Sequence, residues 1–221
     1  MENIRTKELF LNKESSIAYD FLMRFEYPWE ALSHIKDYIL RIGGTLSKSE
    51  FDEVEKDVWV AKGVKVEKSA LICAPTIICK GAEIRHSAFI RGSVIVGKGA
   101  VVGNSTELKN CILFDGVQVP HYNYVGDSIL GMGAHMGAGS IISNVRSDKK
   151  NVRVLGKTDT GLRKFGAIVG DSVEIGCGAI LNPGTVVGVG ARVYPLALVR
   201  GYVPKNHIYK REGEVVKICA E

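Results

Sequence analysis

The sequence has no apolar run near the roughly 18 residues that a membrane-spanning helix needs. Its opening, MENIRTKELFLNKESS, mixes acidic and basic side chains with no apolar stretch. Neither a membrane anchor nor a secretory signal is expected, so the reading is a cytoplasmic protein. Close cysteine pairs are also missing. Cys73, Cys79, Cys111, Cys177 and Cys219 form an odd set without a CxxC spacing. That argues against zinc and disulfide frameworks and for small buried apolar side chains. Charge of one sign is scarce too. A net charge of +5 suits small anionic substrates and is too weak to argue for nucleic acid.

What is present is a period. Stepping by six from Val60 gives Val60, Val66, Ile72, Ile78, Ile84, Ile90, Val96, Val102, Leu108 and Phe114, all large and apolar. With about a third of residues of that kind, chance yields such a run on the order of once in tens of thousands of trials. A second ladder runs Tyr124, Leu130, Met136, Ile142, and a third Val169, Ile175, Leu181, Val187, Val193, Val199. Glycine often follows the apolar position, as at Gly97, Gly103 and Gly131. A period of six fits neither the 3.6 of a helix nor the 2 of a simple strand. It fits short strands joined by tight turns, one apolar side chain per hexad entering a narrow core. Three hexads make one triangular coil, and residues three hexads apart stack at the spacing of neighbouring strands, about 4.8 Å. The expected fold is mainly β, a parallel β-helix with a short N-terminal helical cap.

The ladders break twice. Between Phe114 and Tyr124 the step is four longer than a hexad, and between Ile142 and Val169 it is three longer than four hexads. The second break holds NVRSDKKNVRVLGKTDTGLRKF, with seven basic residues against two acidic ones. Interruptions of a regular solenoid usually carry function or a partner contact, and a solvated loop is the other reading of that composition. Ahead of the coils, EYPWEALSHIKDYILRIGG sets Pro28 near a helix start and Gly43-Gly44 past its end. A shorter helix is expected near Ser16 to Arg24, and both should cap the open lower end of the solenoid. The expected organisation is a helical segment over 1–57, the β-helix over 58–204 with a basic loop inserted at 144–165, and a tail over 205–221 that leaves the coil.

Arg91 and Lys109 lie three hexads apart and each directly follows a core position. They should project from one corner, one coil above the other. Like charges at about 5 Å repel unless solvent or an anion intervenes, so counting leaves two readings, a solvated pair or a phosphate clamp. His121 lies two hexads beyond Lys109, in the first break. Histidine is the commonest general base, and an inert residue at a surface bend is the alternative.

The run ELKNCILFDGVQVPHYNYVGDSILGMGAHMGAGSIISN adds a resemblance. With its His-x-x-Tyr-x-Gly-Asp pattern, glycine-rich turns, asparagine and basic loop, it is similar to the hexapeptide-repeat acyltransferases. The likeness is to the acetyltransferase domain of the bifunctional uridyltransferases that acetylate glucosamine 1-phosphate, and it covers about Arg91 to Val199. It implies a left-handed β-helix, a homotrimer, acetyl-coenzyme A as co-substrate and an amino-sugar 1-phosphate as acceptor. His121 then falls on the catalytic base and Arg91 and Lys109 on the phosphate-holding pair. Tyr124, Asn144 and Lys150 fall on substrate positions, with Arg153 where a related group carries lysine. Cys177 replaces a serine near the thioester, and His135 replaces an asparagine that touches the sugar. The pantetheine arm is expected near Cys177 and Pro195, with Lys205, Lys210 and Arg211 as candidates for the coenzyme phosphates. No glycine-rich phosphate loop is visible in the short stretch ahead of the coils, so the chain is not expected to make a nucleotide sugar by itself. Two other readings stay open: a hexapeptide acyltransferase for another amine or hydroxyl, and a trimeric binding or structural protein without turnover. A metal-dependent carbonic anhydrase on the same fold is disfavoured, because His86, His121 and His135 are widely spaced with no His-x4-His pair.

Overall fold

The computed structural model describes residues 2–218, and Cys219 lies outside them. The chain winds into a parallel β-helix of about eight coils with three faces. The first face begins with Val58–Ala61, Thr76–Ile78 and Val94–Val96 and ends with Thr185–Val187 and Tyr202–Val203. The second runs from Lys65–Val66 to His207–Arg211, and the third from Leu71–Ile72 to Leu198–Val199. Residues three hexads apart pair in the lower coils, as Val60 with Ile78 and Ile78 with Val96, which is the hexad rule made three-dimensional.

Register corrects the first break. No four-residue insertion separates Phe114 from Tyr124. Two successive coils are instead each one residue short of three hexads, with Val96 pairing Leu113, Val102 pairing Val119, Leu108 pairing Val125, and Ile112 pairing Ile129. Leu113, Val119, Val125 and Leu130 fill the core, all fully buried. The residue is dropped at the corner between third and first faces, so Glu107–Leu113 and Tyr124–Leu130 run through that corner as single strands. Asn110 (φ 47°) and Asp127 (φ 48°) make the bend, in the left-handed region that short polar side chains tolerate best after glycine. Phe114 misled the count because it is buried for another reason: it stacks on Phe10, ring centroids 4.9 Å apart. Tyr124 is half-buried and outside the core column.

The N-terminal segment does not cap the lower end. It runs down the first face, Leu9 beside an upper coil and Gly43 beside the lowest. The Leu9 carbonyl accepts from the Asp171 amide at 3.1 Å, and the Asp171 carboxylate takes the amides of Leu11 and Met132, both at 2.8 Å. Gly43 rests on the Trp59 ring so closely that a Cβ there would overlap it. The sequence dictates this cover. First-face strands are apolar on both sides, and Ile77, Ile95, Ile112, Ile129 and Ile168 are all fully buried, whereas the other faces alternate buried and exposed positions. Burying one such isoleucine is worth about 1.5–3 kcal/mol. We expect Ile112→Ala to lower the unfolding free energy by about 2–5 kcal/mol in urea titration. The exposed Val54 should tolerate alanine within about 0.5 kcal/mol.

Hairpins close the two ends. Phe51–Glu55, in the stretch expected to be helical, is a strand antiparallel to Val58–Ala61. The expected tail instead continues the coil, because Arg192 pairs with Ile208 in parallel, and Glu214–Lys217 folds back antiparallel on His207–Arg211. Each hairpin covers a sheet edge that would otherwise template further strands. The cysteine expectation divides: Cys79 and Cys111 are buried, Cys73 is half-buried and Cys177 is exposed. Among the described residues, no helix is long and apolar enough to cross a membrane.

Candidate functional site

The corner between third and first faces gathers a polar cluster. Arg91 and Lys109 follow Ile90 and Leu108, which are paired, so the two cations do sit one coil apart. Each has its own carboxylate. Arg91 Nη1 donates to Glu107 Oε1 at 2.7 Å, and Lys109 Nζ to Asp127 Oδ2 at 3.3 Å. Neither reading from counting included that pairing. Asp127 is only 4% exposed and is the hub: beyond Lys109 it accepts from Asn110 Nδ2 at 2.9 Å and from Asn144 Nδ2. Tyr124 stands directly above Glu107 in register, and its hydroxyl lies beside Asn144 Nδ2 over Gly126. Burial, then the negative charges of Asp127 and Glu107, push the phenol above its ordinary range, so it stays a neutral hydroxyl. Gly126 is required here, because a Cβ would lie 2.6 Å from Tyr124 Oη and 2.7 Å from Asn144 Nδ2.

The inserted loop leaves from this same corner. The Asn144 carbonyl accepts from the Phe165 amide at 3.0 Å and closes its neck. Val152, Val154 and Phe165 are fully buried, Phe165 lying 6.0 Å from the Trp29 ring, and residues 153–154 pair with 158–159 as a small hairpin. The loop is therefore built rather than merely solvated. Lys150 and Arg153 come together with Arg146, Asn151 and Asp159 around a cavity of about 490 Å³. Arg146 grips Asp148 through two hydrogen bonds, 2.9 and 2.6 Å, which hold that carboxyl well below the usual range.

His121 ends the strand Gln118–His121, at the corner between second and third faces. Its backbone is pinned: the N–H donates to Asn123 Oδ1 at 3.1 Å and the carbonyl accepts from Gly139 at 3.0 Å. Buried Asn123 in turn donates to the carbonyls of Gly137 and Ser140 in the coil above. His121 itself is exposed. Cys177 shares the corner higher up, linked through Gly178 N–H to Ala138 O, and Pro195 lies above it, beside the Leu196 N–H to Cys177 O bond, both bonds 2.9 Å. Lys210 continues upward, 5.9 Å over the Tyr194 ring, but it and Arg211 are both paired with Glu214. Lys205 is at a different corner, against Gly188 between first and second faces. His135 joins neither cluster. It opens a second-face strand and its Nδ1 lies 2.9 Å from Glu174 Oε2. Among the described residues, no group of three or more histidine, cysteine, aspartate or glutamate side chains is placed to hold a metal ion.

Sequence reasoning named Arg91, Lys109, Tyr124 and Asn144 but passed over Glu107, Asn110 and Asp127, which bind them together. Asp127 was within reach as the last residue of the His-x-x-Tyr-x-Gly-Asp pattern.

Repeat, faces and corner clusters define a hexapeptide-type parallel β-helix protein. The family described as the GMPPB C-terminal domain matches residues 72–187, and the chain belongs to it. Among curated relatives, a bifunctional sugar-1-phosphate nucleotidylyltransferase/acetyltransferase of Sulfurisphaera tokodaii is 38% identical over 109 residues, 48% of this chain and 27% of the relative. A bifunctional protein GlmU of Methanococcus maripaludis is 35% identical over 115 residues, 51% of this chain and 28% of the relative. The match thus spans about a quarter of the length of these relatives. Among solved structures, a point variant of the N-acyltransferase AntD from Bacillus cereus, with dTDP and coenzyme A, has a TM-score of 0.42 at 21% identity. That alignment covers 72% of this chain and 82% of AntD.

Proposed function

We propose that the chain is an acetyl-coenzyme A-dependent N-acetyltransferase acting on an amino-sugar 1-phosphate, glucosamine 1-phosphate first among them. The observation that carries the reading is the convergence of Arg91, Lys109, Tyr124 and Asn144 on one built corner. The name of the Sulfurisphaera tokodaii relative, a sugar-1-phosphate nucleotidylyltransferase/acetyltransferase, points the same way. In this reading Arg91 and Lys109 hold the phosphate, exchanging part of their pairing with Glu107 and Asp127 for the stronger charge of the ligand. Lys150 and Arg153 reach it from the inserted loop, and Tyr124 and Asn144 orient the sugar. The amine attacks the thioester carbonyl, the new C–N bond forms, and His121 takes the proton the nitrogen sheds. The C–S bond then breaks, and the departing coenzyme thiolate recovers that proton. A backbone N–H of the coil steadies the oxyanion. The pantetheine arm lies along the corner of Cys177 and Pro195, and Lys205 is left without a role.

His121 and Lys109 stand at opposite edges of the third face, about 10 Å apart along a three-residue strand. A neighbouring copy would bring a second His121 corner to each phosphate corner, so the reading includes a homotrimer. Its contact row would be the outward apolar side chains of that face, Ile141 at 39%, Ile180 at 40% and Leu198 at 48% exposure. Light scattering at micromolar concentration should give three times the chain mass. A monomer would remove the shared site.

The direct test is turnover. Purified protein given acetyl-coenzyme A and glucosamine 1-phosphate should release free thiol. Arg91→Ala and Lys109→Ala should each raise KM for the sugar phosphate by about tenfold or more, with KM for acetyl-coenzyme A unchanged. A second reading is an acyltransferase of this architecture with another amine or hydroxyl acceptor, because His135, which stands where the resemblance expects an asparagine that touches the sugar, lies apart from the cluster and pairs with Glu174. A panel of acceptors separates the two.

A further inference from the structure

A cavity of about 580 Å³ lies away from both corner clusters, where the N-terminal segment and the Phe51–Glu55 hairpin meet the lowest coils. Ile17, Leu46 and Phe51 form its apolar side. Cys79, 1% exposed, contributes to its wall, and burial pushes that thiol up to about 12, so the wall is uncharged at neutral pH. Lys62, Lys80 and Lys98 line the other side. Each lies two residues past a paired first-face residue, Val60, Ile78 and Val96. They therefore stack one per coil, about 4.8 Å apart.

Three like charges at that spacing repel. Elsewhere the solenoid answers its cations with acids, as where Lys65 sits 3.3 Å from Glu67 and 3.7 Å from Glu83. Here Lys62 is 3.9 Å from Asp52 and donates to the Lys48 carbonyl at 3.0 Å. Among the described residues no carboxylate pairs with Lys80 or Lys98. Glu50 is the one acid in the lining; Asp115, one coil above Lys98, accepts from the backbone N–H of Lys98 at 2.7 Å and lies within reach of its charge without an ion pair, so Lys80 is the lysine of the column farthest from an acid. The volume falls in the range of small-molecule sites, which join an apolar wall to a few placed polar groups.

We infer that this cavity binds a small organic phosphate monoester, its apolar body against Ile17, Leu46 and Phe51 and its phosphate between Lys80 and Lys98. The site is separate from the acetyl-transfer reading and does not rest on it. The probe is 1-naphthyl phosphate, titrated into the full chain and followed by its fluorescence anisotropy. Labelling of lysines, mapped by peptide mass spectrometry, locates the site. Saturable binding should protect Lys80 and Lys98, whether or not the probe also enters the Arg91–Lys109 corner. Inorganic phosphate and 1-naphthol, each half of the ligand, should bind at least about tenfold more weakly. Lys80→Glu with Lys98→Glu should weaken binding about 100-fold with the circular dichroism of the β-helix intact. If that pair does not fold, Lys80→Gln with Lys98→Gln gives the same readout. Arg91→Ala, at the corner that holds the sugar phosphate in the acetyl-transfer reading, should leave the protection of Lys80 and Lys98 unchanged. Absence of saturable binding, indifference of it to the lysine changes, or loss of Lys80 and Lys98 protection in Arg91→Ala would each overturn the assignment.

Discussion

His121→Ala should slow acetyl transfer to glucosamine 1-phosphate by about 10²–10⁴-fold, the usual worth of a positioned general base. The melting temperature should hold. The residue is exposed, and what fixes it in the corner are bonds of its backbone to Asn123 and Gly139, which alanine keeps. KM for both substrates should change little, because the ring acts on the attacking nitrogen rather than holding either ligand. His121→Asn, which cannot take the proton, should be as slow as alanine. Transfer that survives in both variants would move the base elsewhere and leave the corner as a binding surface only.

The period of six carried most of the fold, because a narrow triangular core admits one kind of side chain at a fixed interval. It failed where a residue is apolar for a different reason. Phe114 extends the ladder on paper, yet it packs on Phe10 of the N-terminal segment. The two shortened coils were therefore hidden, and a four-residue break stood in their place. The double-sided burial of the first face was legible in strings such as Val94-Ile95-Val96, where a half-exposed strand would alternate. What covers that face is a tertiary fact that periodicity does not contain. For the site, stacking by three hexads placed Lys109 over Arg91 correctly. It was silent on their partners, because Glu107 and Asp127 reach them from the next positions and the next coil. The insertion read as a charged loop by composition, although its Val152, Val154 and Phe165 are what anchor it.

Replacing Asp127 should do more damage to the fold than any other polar change at the site. Its carboxylate is where Lys109, Asn110 and Asn144 meet, and Asn110 in turn donates to the Leu32 carbonyl at 3.2 Å, tying the corner to the N-terminal cover. Removing one side of a buried charged pair costs about 3–5 kcal/mol, because the other side is left without its partner. Asp127→Ala should therefore lower the unfolding free energy by about that amount, increased slightly by placing a Cβ residue of no αL preference at φ 48°. Asp127→Asn keeps the shape and the tolerance of the bend but loses the charge and one of the two acceptor oxygens, so its amide can accept on one side only, and about 2–3 kcal/mol is expected. The two variants should part further in turnover. With its one oxygen toward Asn144, asparagine keeps that acceptor and gives up the bond from Asn110, so Tyr124 holds its place while Lys109 is released from its carboxylate. In Asp127→Asn kcat should then change less than KM for the sugar phosphate, because the disturbed group is the phosphate-holding Lys109, and both should worsen in Asp127→Ala. Equal stability of the two variants in urea would mean that the bend, not the charge, holds the corner together.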